Sequence, residues 1–228
     1  MDGHENAITK IIDYEWEMFI AVNEGEDPAS CQEDRDTFVG MRAAQFIAWS
    51  QNAVNAYMED LSAAQLGGRN LVEEKYIHMM KTTEPSRYEA LLPRVRMPSD
   101  AVISLAHEVS DLLLEQTKVL FENYPFVSGH GRPLYSTLDY ASVSVETYQL
   151  GELLTYSEET LAALKEHIAA LEAEGRSLAR EILENTIRYY GYKTLDDAEA
   201  VTKERIEARG FELTFGCAGG CDDEGDLD

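Results

Sequence analysis

Arg42, Gln45 and Asn52 stand inside a run that is otherwise apolar on nearly every side. Phe38, Met41, Phe46, Ile47, Trp49, Val54, Tyr57 and Leu61 surround them, and Ala43, Ala44, Ala48, Ala53 and Ala56 fill the gaps. Buried polar groups need partners, so the core is expected to hold a polar network. Glu15 is one partner, because it falls in the middle of the apolar stripe Ile8, Ile11, Ile12, Met18, Phe19 and Val22. Glu146 and Glu152 are natural counter-ions for Arg42 from a later segment, and Glu15 and Glu146 are the best placed. A guanidinium fork clamps an anionic group. A buried carboxylate raised towards neutrality acts as a general base. The candidate ligand-binding set is therefore Arg42, Gln45, Trp49, Arg69 and Lys75, with Glu15 and Glu146 as candidate catalytic bases. The favoured reading is a protein that binds or transforms a small anionic ligand in a polar pocket between helices, and the alternative is a non-catalytic helical interaction module whose buried polar residues only fix packing. A solvent-reached cleft favours the first reading, and complete mutual pairing favours the second.

Other reactive residues carry less. A carboxylate-bridged metal pair needs two Glu-x-x-His motifs. Glu74 and His78 are four apart, Glu108 adjoins His107, and Leu164 stands three before His167. No metal site is expected, and no cofactor is indicated. Cys217 and Cys221 have no further zinc ligands nearby. Cys31 lacks the surroundings of a known thiol protease. His130 sits in Ser128-Gly-His-Gly-Arg132, where glycines suit a turn and no strand precedes it. Asp139, Ser142 and Glu146 form a polar stripe if Thr137 to Leu154 is one helix.

The composition narrows the function classes. Of 228 residues, 43 are acidic and 19 basic, a net charge of −24. Such a surface repels nucleic acid unless a basic patch is built. No apolar run is long enough to cross a bilayer, so no membrane role is expected. The polar, acidic start lacks the pattern of a signal peptide. Three cysteines do not read as a secreted disulfide framework. The cytoplasm is the expected compartment. Oligomeric state is not legible.

The elements that must position these residues all read as helices. Apolar periodicity predicts one from about Ala7 to Asn23 and one unbroken helix from Asp36 to Leu61, halted near Gly67-Gly68. Asn70 is an N-cap with Glu73 three residues on. Ser99, Ser157, Ser177 and Thr194 start later helices, and Gly175, Gly191 and Gly210 end them. A short turn is expected around Tyr88 to Leu92. Phe211 to Phe215 is the one strand-like run. The expected fold is all-α, an irregular bundle of about eight helices over residues 1–210. Residues 211–228 are expected to be a short non-helical, acidic, Gly-rich tail. Deleting residues from Cys217 onward should leave the melting temperature nearly unchanged, because Leu227 is the sole large apolar anchor there. A drop of many degrees in a thermal melt would show that the tail docks on the domain.

Several of these segments resemble DUF4125, a domain family of unknown function. The matching pieces include Ala29-Ser-Cys-Gln32, Thr37-Phe38, Met41-Arg42 and Gln45 to Trp49. Gly68-Arg-Asn-Leu71, Glu74-Lys-Tyr76 and Met79-Met80 follow, then Glu146-Thr-Tyr148, Gly151-Glu-Leu153, Thr155-Tyr-Ser157 and Tyr190-Gly-Tyr192. They span about residues 7 to 200. The resemblance implies a bacterial, cytoplasmic, single-domain protein and assigns no catalytic residue. It also implies kinship with chains joined to a nucleotidyltransferase-like domain, and so a link to nucleotide or small-molecule metabolism. The Cys217 and Cys221 pair lies outside it.

Overall fold

A computed structural model describes residues 3–22, 32–129, 131–140 and 142–209. Their regular structure is all helical, in ten α-helices. These are α1 (Gly3–Ile20), α2 (Arg35–Ile47), α3 (Gln51–Leu66), α4 (Leu71–Thr83) and α5 (Pro85–Leu91). They continue with α6 (Asp100–Asn123), α7 (Val145–Leu153), α8 (Glu158–Ala173), α9 (Leu178–Tyr189) and α10 (Leu195–Arg209). Cys31, His130, the Phe211–Phe215 run and the Cys217 tail lie outside the described residues.

Most helix starts are set by short polar side chains. The Asn70 carboxamide accepts the Glu73 N–H at 3.0 Å. Ser99, Ser157, Ser177 and Thr194 each accept the amide three residues on, at 3.1–3.3 Å. Each satisfies one of the amides that a helix start leaves unpaired. Gly175 and Gly191 follow α8 and α9 at positive φ, 71° and 86°, a backbone shape that closes helices at little steric cost.

Two expected helices are corrected. The run from Asp36 to Leu61 is not continuous: α2 ends at Ile47, and Ser50 turns extended before α3. The Ser50 hydroxyl accepts the Ala53 N–H at 3.2 Å, so a local cap outcompetes helix continuation. The break lets Phe46 and Trp49 both enter the core and leaves Asn52 exposed. The helix expected from Thr137 starts only at Val145, capped by Ser144. Asp139 and Ser142 therefore share no helical stripe with Glu146.

The main core lies between α1, α3, α6 and α8. Ile11, Val54, Leu61, Val109, Leu161 and Ile168 are fully buried there. On one side of this core α4 crosses α7. A Cβ on Gly151 would stand 2.7 Å from Met79 Cγ and 3.1 Å from the Lys75 carbonyl oxygen. The two backbones approach this closely because residue 151 has no side chain. A smaller apolar cluster, Ile187, Leu195 and Ala198, joins α9 to α10. Glu199 of α10 accepts the amides of Phe126 and Val127 at 3.0 and 2.8 Å and so holds the turn after α6.

Candidate functional site

Arg42 is the hub of a buried charge network drawn from five helices. Its Nε and Nη2 donate to the two oxygens of Glu15, at 2.7 and 2.5 Å. Nη2 also donates to Glu152 Oε1 at 2.9 Å. Nη1 donates to Gln45 Oε1 at 3.0 Å and, at a weaker 3.4 Å, to Glu152 Oε2. A guanidinium has five N–H groups, and all five are spent on protein. Tyr57 of α3 donates to Glu15 Oε1 at 2.7 Å, and Tyr156 donates to Glu152 Oε1 at 2.6 Å. Gln45 Nε2 reaches Glu152 Oε1 at 3.1 Å, and the Lys75 ammonium reaches its Oε2 at 2.6 Å. Phe46 lies under Arg42, with its ring centre 4.8 Å from the guanidinium carbon.

Two carboxylates meet two cations in this network. Burial works against the charged form of Arg42, but Glu15 and Glu152 outweigh it and raise the pKa well above the usual value. Burial likewise opposes ionisation of Glu152, and Arg42 and Lys75 overcome it, holding the carboxyl well below its ordinary 4.5. Burial and the adjacent carboxylates push Tyr57 and Tyr156 well above 10.0, so both remain hydroxyl donors. An ionised, fully hydrogen-bonded carboxylate of this kind is a poor proton acceptor.

The structure brings together Glu15, Arg42, Gln45 and Lys75, and leaves the other candidates apart. Arg69 pairs instead with buried Glu74, at 2.9 and 2.6 Å. Trp49 lies in an aromatic cluster behind the network, 5.0 Å from Phe46, 5.9 Å from Tyr57 and 6.0 Å from Tyr156 between ring centres. Glu146 is not a partner of Arg42; it accepts the Ser136 amide at 2.7 Å. Six residues separate it from Glu152, about 120° around the helix, so only one of the two can face Arg42. Tyr57, Tyr148 and Tyr156 were not among the candidates. Their signal was that a buried tyrosine hydroxyl finds a partner. Tyr148 lies 3.6 Å below the Lys75 ammonium and 4.7 Å from the Arg132 guanidinium carbon. Asp139 pins the segment before α7, accepting from Thr82, Ser144 and Thr147 at 2.6–2.9 Å. Burial opposes its ionisation, but those hydrogen bonds prevail and lower its pKa.

A cavity of about 40 Å³ touches the network, lined by Glu15, Arg42, Lys75, Tyr148 and Glu152 among others. That space suits a few waters. Among the described residues, no three His, Cys, Asp or Glu side chains gather as metal ligands.

His78, on α4, is buried, and its Nε2 has no hydrogen-bond partner among the described residues. Burial lowers its pKa below 6.5, Glu74 opposes this and Lys81 adds to it. The unfolded chain then binds the proton at a higher pH than the folded one does. Stability is therefore expected to rise with pH from the lowered folded value up to about 6.5 and to gain nothing from this group above it. Urea midpoints across that range test this. A His78→Phe variant should lose that component of the slope, and an identical slope in the variant would refute the assignment.

Residues 5–200 match the model of a family described as a protein of unknown function, DUF4125. No curated protein and no solved structure matches the chain.

Proposed function

The chain belongs to the DUF4125 family, and from that premise we propose that it is a non-catalytic helical module whose buried polar residues fix its packing. The observation that supports this is the full engagement of Arg42: five N–H groups, five protein acceptors. An anion arriving at Arg42 would have to displace a carboxylate already held there. Its two cations already meet two carboxylates, so one more buried charge would be unpaired. Exposed apolar side chains such as Leu66 and Tyr140, 90% and 85% accessible, are what such a module offers a partner chain. The net charge of −24 argues against a nucleic-acid partner.

One observation favours the second reading, a small anionic ligand between the helices. Lys75 is buried and carries three donors. Among the described residues it donates one hydrogen bond, to Glu152, and stands over Tyr148 on the cavity wall. In that reading Lys75 is the contact and Arg42 the floor beneath it. Thermal melts with acetate, sulfate and phosphate, run on the parent and on Lys75→Met, separate the two. On the structural reading, any shift an anion causes is the same in both proteins. An anion that raises the melting temperature of the parent and not that of a folded Lys75→Met would overturn it in favour of the ligand.

A further inference from the structure

A second cavity, of about 310 Å³, lies where α9 meets the start of α10. Arg180, Arg188 and Lys193 line it, in a chain with more than twice as many acids as bases. Two acids, Glu184 and Asp196, share the wall. Arg180, Glu184 and Arg188 are spaced four apart and share one face of α9. Glu184 sits between both arginines, accepting Arg180 Nε at 2.9 Å and Arg188 Nη2 at 3.2 Å. One carboxylate thus holds two guanidinium groups side by side. Lys193 has no ion pair among the described residues. A smaller part of the wall is apolar, formed by Tyr124, Ile187 and Leu195. Ile187 and Leu195 are buried, and the Tyr124 ring centre lies 5.8 Å from the Arg180 guanidinium carbon.

We propose that this cavity binds a small organic phosphate monoester. Its volume is at the low end of the range for small-molecule sites. Guanidinium forks and an ammonium match phosphoryl oxygens, which point in three directions where a carboxylate offers two in one plane. The partly exposed Tyr124 ring, backed by buried Ile187 and Leu195, receives the organic part. The three bases outnumber the two acids on the wall by one positive charge, which an anion cancels. The site is separate from the Arg42 network, and the proposal does not depend on whether that network is structural.

Calorimetric titration of the full chain at low salt tests this with phenyl phosphate, inorganic phosphate, benzoate and phenol. Phenyl phosphate is expected to bind saturably, more tightly than inorganic phosphate or benzoate, while phenol does not bind. Arg188→Gln and Lys193→Gln should each weaken phenyl phosphate about tenfold, the loss of one charge-assisted hydrogen bond. Both side chains are exposed, so the melting temperature should hold. Lys75→Met should leave the affinity intact. Absence of saturation at low millimolar ligand would overturn the proposal, as would unchanged affinity in both glutamine variants. Equal affinity for inorganic and phenyl phosphate would overturn the assignment to an ester.

Discussion

Arg42→Met is expected to destabilise the fold by about 3–5 kcal/mol, the cost of stranding one side of a buried ion pair. Methionine keeps much of the volume and removes every donor. The two carboxylates are not stranded equally. Glu152 keeps Lys75, Gln45 and Tyr156, whereas Glu15 keeps the Tyr57 hydroxyl. Arg42→Met with Glu15→Gln should therefore recover more stability than Arg42→Met with Glu152→Gln. Chemical denaturation of the three variants measures it, and the reverse order would show that the network is held from the Glu152 side. The pH response carries the same sign logic. In the parent protein the Glu152 pKa is depressed. Its contribution is complete above the unfolded value and is lost as pH falls through the folded one. Arg42→Met removes the cation that does most to depress the Glu152 pKa, so the variant has less of this contribution to lose and the gap to the parent should narrow on acidification. A gap that does not change with pH would mean that Lys75 alone holds Glu152 as strongly as before.

Gly151→Val should cost about 3 kcal/mol, the upper part of the range for overpacking. The added Cβ meets Met79 Cγ, which can move, and the Lys75 carbonyl, which is backbone and cannot move without shifting α4. Two further methyl groups widen the conflict. Gly151→Ala should cost less, because alanine regains roughly 1 kcal/mol of helix propensity. The damage should extend to the network, since Lys75 and Glu152 meet across this crossing at 2.6 Å. Denaturant midpoints test it, and a valine variant that unfolds with the parent would show that α4 and α7 are not locked at this point.

What was legible in the sequence was local. The all-helical class, the caps at Asn70, Ser99, Ser157, Ser177 and Thr194, and the stops at Gly175 and Gly191 depend on groups within a few residues of each other. Glu15 was legible for a related reason: a carboxylate in the centre of an apolar stripe must be buried, and a buried carboxylate needs a cation. The need for a partner is written in the stripe, but the identity of that partner is not. The choice of Glu152 over Glu146 depended on which face α7 turns towards α4 and the Arg42 network, and it brings together residues 110 apart in the chain. The diversion of Arg69 to Glu74 and the break at Ser50 are of the same kind. Helix periodicity states which face is apolar, but only the packing of all the helices decides how far a long side chain must reach and what it finds there.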